Sequence, residues 1–170
     1  MEFNKRVYTI FLSLVAVWCG LIVAAPLLVS YAPSSGVASQ VYSLFSPICH
    51  QFDSRSFHLA GEKLGVCIRC SSIYFSFFAS LALYPLFRRL EPVTVPRMQW
   101  LILAVTPMAL DVMLNLTSIH RSTTLTSAIS GIMFGGILPL FLFPPLVEAF
   151  SQIRNRLTLR GGIFYARKAQ

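Results

Sequence analysis

Charge is scarce in this sequence. Asp, Glu, Lys and Arg make up 12% of its 170 residues, about half of the roughly 25% that a soluble domain carries. Acids are scarcest, six against fourteen Lys and Arg. The shortage excludes an ordinary soluble domain and points to a chain solvated by lipid. The sequence also lacks a phosphate-binding glycine loop, a serine-hydrolase elbow and a His-Glu-x-x-His zinc helix, which removes three common enzyme signatures. No stretch shows the strict alternation of a barrel strand. The net charge of +8 is not a nucleic-acid footprint, because the basic residues sit at the ends of apolar runs rather than along one stripe. No nucleic-acid partner is expected.

Hydrophobic residues make up 55% of the chain, and they gather into four runs. Val7 to Val29 is uncharged and exceeds the ~20 residues needed to cross a bilayer. Its apolar stretch is also longer than the ~7–15 residues of a signal-peptide core, so it reads as a retained first helix. Ser71 to Phe87 is uncharged and shorter, so its helix is expected to begin near Cys67. Met98 to Leu116 holds one charge, Asp111, and Ser122 to Val147 holds none. The expected fold is all-α: a single membrane domain, a bundle of four transmembrane helices over about 7–29, 67–87, 98–117 and 122–147. Beyond Val147, the residues Phe150, Ile153 and Leu157 continue a helical stripe, giving an amphipathic extension over 148–170 on the cytoplasmic leaflet. Its end, "RGGIFYARKAQ", reads as mobile or docked on a partner.

Lys and Arg set the orientation. With the N-terminus inside, only Arg55, Lys63, Arg69 and Arg121 of the fourteen fall on the far side. Positive charge favours the cytoplasmic face, so both termini are expected to be cytoplasmic. The long loop between the first two spans, about Ser30 to Val66, then faces outward. Loops of that length are usually functional or disordered. Within it, "VYSLFSPI" is apolar enough to lie in the interface or dip into the bundle. Spacings of four among Thr123, Ser127, Gly131 and Gly135, and among Ser72, Ser76 and Ser80, read as helix-packing faces. Ser122 or Thr123 is placed to cap the last helix.

The outward segment and the helix after it carry the chemistry. Cys67 and Cys70 form a Cys-x-x-Cys at the start of the second span, with Arg69 between them and Cys49, His50 and His58 upstream. A helix N-terminus and a nearby arginine both favour thiolate. Three cysteines and one histidine make a tetrahedral set for zinc, with iron as the second candidate. Adjacent residues such as Cys49 and His50 do not readily bind one ion together, so the fourth ligand is open between His58 and His50. Two other readings of the cysteines stand beside the metal. One is a redox-active pair exchanging with Cys49 and coupled to quinone; the other is a structural disulfide, which an outward face permits. Cys19, mid-span among apolar neighbours, reads as a buried free thiol.

Asp111 is the single acid inside a span, where charge is costly and faces a cavity or a partner. Asp111, Arg69, Arg121 and Arg55 are candidate catalytic residues. The arginines suit an anionic group, and the alternative for Asp111 is a pair with arginine that locks helices together. The functions weighed are a metal-dependent enzyme acting on a lipid or anionic substrate, a quinone-linked thiol–disulfide oxidoreductase, and a non-catalytic subunit of a larger respiratory or photosynthetic membrane complex. The lipid bilayer is a partner in all three, and other membrane subunits in the last.

Three motifs carry a resemblance: Cys49-His50-Gln51, Arg55-Ser56-Phe57 and Cys67-Ile68-Arg69-Cys70. With Asp111 in the third run and Arg121, Gly131 and Gly135 around the fourth, the chain resembles a family of small bacterial and archaeal integral membrane proteins of unknown function. The likeness covers most of Cys49 to Gly136. Where that family usually reads Thr-Gly-Ile-Tyr after the second cysteine, this chain has Ser71-Ser72-Ile73-Tyr74. The expected place is the bacterial or archaeal plasma (inner) membrane, and the Lys and Arg distribution turns the Cys/His site toward the periplasm or exterior. The resemblance implies a metal set of Cys49, Cys67 and Cys70, with His50 ahead of His58, and it supplies no activity.

Overall fold

A computed structural model describes residues 2–32, 36–87, 95–117 and 123–168. Five helices and one short hairpin follow in chain order: α1 (Glu2–Tyr31), α2 (Val37–Phe45), β1 (His58–Leu59), β2 (Glu62–Lys63), α3 (Ile68–Phe87), α4 (Met98–Leu116) and α5 (Thr124–Lys168). Three helical stretches are long and apolar enough to cross a membrane: Phe3–Tyr31, Met98–Leu116 and Thr124–Arg156. The 20-residue α3 is not among them. It carries Arg69 and serines at 71, 72, 76 and 80; Ser71 and Ser72 are buried in protein, and Ser76 lies beside Gly135 of α5. α3 packs against α1 and, most extensively, against α5, while α4 packs on α5.

The crossing of α3 and α5 is set by two glycines. A methyl group at Gly131 would stand 2.8 Å from the Arg69 carbonyl oxygen and 3.0 Å from Ser72 Cβ. One at Gly135 would collide with the Ile73 carbonyl oxygen and Ser76 Oγ. Small residues let helix backbones meet this closely where lipid supplies no hydrophobic drive. Ser72, buried against Gly131, makes a close approach without being glycine itself; the missing side chain is supplied by the opposite helix. At the far end of the bundle Tyr8, Tyr84 and Phe143 meet edge to face, with ring centroids 5.8 and 5.0 Å from Phe143. There the Tyr8 hydroxyl donates to the Leu81 carbonyl at 3.1 Å.

The long connection after α1 is folded. α2 buries Val41 and Phe45 and leaves Leu44 exposed, so "VYSLFSPI" both dips into the bundle and lies at its rim. The hairpin pairs His58 with Lys63 and Leu59 with Glu62. Its turn residues Ala60 and Gly61 have φ of 55° and 83°, as a tight two-residue hairpin requires. Ile22 and Ala25 of α1 join Val41, Phe45, Cys49, Leu64 and Val66 in one apolar core. That core carries the loop and presses Cys49 toward α3. Thr123 caps α5 through reciprocal bonds with Thr126: each backbone N–H donates to the other's Oγ1, at 3.0 and 3.2 Å. The α5 backbone runs as helix through Lys168, so the segment read as a mobile or docking tail continues the last helix. Much of the apolar surface stays open: α4 buries only Ala104 and Asp111, as a helix bathed in lipid would.

Candidate metal centre

Cys67 stands immediately before α3 and Cys70 lies on its first turn, so both sulfurs leave the helix end in one direction. Cys49 arrives from the other side. α2 ends at Phe45, and the Cys49 N–H donates back to the Phe45 carbonyl at 3.0 Å. The Cys49 sulfur in turn accepts the Cys67 backbone N–H at 3.1 Å. The three sulfurs lie within 4.8 Å of one another. Cys49 is buried and the other two are half-buried, and all four cysteines of the chain, Cys19 included, are free thiols.

Electrostatics around Cys49 favour its charged form. Thiol donation from Cys67, then from Cys70, holds the Cys49 pKa well below its ordinary value, helped by the backbone N–H groups of Cys67 and Gln51 and opposed by burial. A thiolate is the form that binds metal. Three sulfur donors suit a soft ion such as zinc. Tetrahedral zinc–thiolate bonds of ~2.3 Å set sulfurs about 3.8 Å apart, within reach of this cluster. The residues present therefore fit a metal bound on three sides.

Gln51 holds the loop in place, a role not read from the sequence. Its side-chain amide donates to the Tyr42 carbonyl at 2.7 Å and the Gly65 carbonyl at 3.0 Å, tying α2 to the bend between β2 and α3. Its own carbonyl accepts Lys63 Nζ at 2.9 Å, and the Tyr42 hydroxyl donates to the Lys63 carbonyl. Gln51 has φ of 51°, a left-handed turn that few non-glycine residues adopt. Its place in the Cys49-His50-Gln51 triplet was the one available signal.

His50 and His58 lie outside the sulfur cluster. His50 is exposed, with its ring 5.8 Å from that of Phe52. His58 Nε2 lies 3.1 Å from Asp53 Oδ1 on the hairpin side of the loop. His50 does line a pocket of about 350 Å³ that the three cysteines also line, together with Arg55, Arg69, Asn115, Thr123, Thr124 and Ser127. Arg69 projects between α4 and α5. Its guanidinium pairs with the buried Asp111 carboxylate and lies 3.4 Å from Ser127 Oγ. Arg55 is exposed on the loop. Arg121 lies outside the described residues.

Comparison with known proteins gives the same picture of relatedness. The model of the family described as "Predicted membrane protein (DUF2085)" matches residues 49–152. The uncharacterized protein MJ1492 of Methanocaldococcus jannaschii is 32% identical over 108 residues, 64% of this chain and 69% of that protein. No solved structure matches the chain.

Proposed function

As a member of the DUF2085 family of predicted membrane proteins, the chain is a membrane protein, and we propose that it carries an outward-facing three-cysteine metal centre that acts on a lipid or another anionic substrate. Zinc is the first candidate and iron the second. The observation that carries the reading is the convergence of Cys49, Cys67 and Cys70, from two segments eighteen positions apart in sequence, to within 4.8 Å. The topology that goes with it has α3 as a fourth span, protected by α1 and α5, and both termini in the cytoplasm. The distribution of Lys and Arg supports that orientation.

Three cysteines at the wall of an open pocket would suit a catalytic metal site more than a closed structural one. A metal so placed polarises a carbonyl or phosphoryl oxygen, or activates water. Cys49, Cys67 and Cys70 hold the ion, and His50 at the pocket wall is the fourth protein group within the motif. Arg69, fixed by Asp111, presents positive charge beside the sulfurs without approaching the ion as a ligand. Arg55, at the pocket wall, supplies the rest of the anion's surroundings.

The test is metal content per chain, measured by mass spectrometry on protein purified in detergent without chelator. About one zinc or iron per chain is expected, with loss in Cys49→Ser, Cys67→Ser and Cys70→Ser. Intact protein without metal overturns the reading and leaves the three thiols for redox exchange with a quinone-linked partner.

A further inference from the structure

The pocket in front of the three sulfurs is lined by donors and, among the described residues, by no carboxylate. Arg69 contributes to it but spends its guanidinium on Asp111 and Ser127. Arg55 differs: it ends the single helical turn Asp53–Arg55 and is exposed at the pocket wall. Across from the loop stand Asn115 of α4 and Thr123, Thr124 and Ser127 of the α5 start. The Thr123–Thr126 capping box occupies the Thr126 amide, whereas the amides of Thr124 and Leu125 have no acceptor within the helix. They leave the positive end of α5 directed at the same space.

These donors come from the loop, α4 and α5, more than the two oxygens of a carboxylate would use. They match the three or four oxygens of a phosphate, the group for which arginine's planar fork is suited. The rest of the wall is apolar. Ile48, Phe52 and Leu116 line the pocket and are themselves 49, 61 and 77% exposed, so the rim is greasy where it meets the surroundings. A phosphate with acyl chains attached satisfies both halves.

We propose that this pocket binds a phosphate group, carried on a membrane lipid or free in solution, and that Arg55 is the residue that recognises it. The proposal names the substrate class of the site and rests on that reading for a metal held by the three cysteines at the same pocket wall. Arg69 acts through position: pinned to Asp111, it keeps positive charge beside the sulfurs. Arg55 sits on the loop and is free to close on the anion.

The experiment uses the full chain in a maltoside detergent, which carries no phosphate. Calorimetry measures binding of inorganic phosphate, dihexanoyl phosphatidic acid and uncharged dihexanoylglycerol, with metal counted in the same samples. Wild type is expected to bind the phosphate probes. Arg55→Ala lowers that affinity about tenfold or more, the scale of a charge-assisted hydrogen bond, with metal content and thermal unfolding unchanged, and Arg55→Lys falls between. Tighter binding of the phosphatidic acid assigns the phosphate to a lipid headgroup; equal binding assigns it to free phosphate. The proposal is overturned if neither phosphate probe binds, if dihexanoylglycerol binds as well as the phosphatidic acid, or if Arg55→Ala matches wild type. Metal-free wild type that still binds phosphate through Arg55 sinks the metal reading and keeps the phosphate pocket.

Discussion

The guanidinium of Arg69, set between two of the three cysteines, pairs with the carboxylate of Asp111 in the middle of the bundle. The pair joins α3 to α4, two helices whose main packing partner is in each case α5. Ser127 of α5 lies 3.4 Å from the same guanidinium, so one arginine ties three helices beside the three cysteines. A largely buried charge pair is weak evidence of net stability, but removing one partner strands the other.

That asymmetry gives a first prediction. Asp111→Ala should destabilise the protein by about 2–4 kcal/mol, below the upper range for a fully buried pair because Arg69 keeps some exposure. Asp111→Asn, which keeps an acceptor, should cost less. Replacing both partners with Arg69→Met and Asp111→Leu should recover part of the loss. Thermal unfolding in detergent measures all three; strictly additive single and double variants would show that the two side chains do not act as a pair.

The α3–α5 crossing gives a second. Gly135→Ala must push apart two backbones already in contact, and overpacking of this kind costs about 1–3 kcal/mol. Its neighbour Gly136 has nothing within 4 Å of an added methyl group, so Gly136→Ala should be near neutral. Equal melting temperatures for the two variants would contradict the crossing geometry.

Gln51 gives a third. Gln51→Ala removes both amide bonds that tie α2 to the bend between β2 and α3. Cys49 would then be held less firmly against Cys67. Groups that orient ligands typically contribute 10–100-fold in metal affinity, and a loss on that scale is expected in a competition with a chromogenic chelator. Unchanged metal retention in a folded Gln51→Ala protein would remove Gln51 from the site.

The fourth concerns pH. The native state holds the Cys49 pKa below its ordinary value, while in the unfolded chain a thiol titrates near ~8.5. The native state therefore binds fewer protons than the unfolded state between those two values. Stability from this source is complete above the unfolded pKa and is lost as pH falls toward the native one. Metal-stripped protein should melt at higher temperature as pH rises from about 6 to about 9, and Cys49→Ser should flatten that rise. A parallel slope in the variant would assign the dependence to other groups.

The all-α character and the apolar segments were legible from charge spacing alone, because lipid forces every crossing backbone to satisfy itself within a helix. The cysteines were legible as a candidate site because their chemistry belongs to the residue type. α3 was less plain. Its Arg69, Ser72 and Ser76 are met by Asp111, Gly131 and Gly135, neighbours that no local pattern displays. The hairpin at Ala60-Gly61 was missed because its turn lacks the Asn-Gly or Asp-Gly signal.

By itself, the sequence determined the solvent, the apolar character of the helical segments, and the set of candidate soft ligands, all properties that follow from composition and local period. Tertiary structure decided which of those ligands meet. Cys49 joins Cys67 because α2 buries Phe45 against α1 and Gln51 fastens the loop. His58 turns instead to Asp53 on the other side of the loop. It also decided that Arg69 faces Asp111 while Arg55 faces the pocket. Those outcomes depend on contacts between residues far apart in the chain, and such contacts are set by packing rather than by any spacing along it.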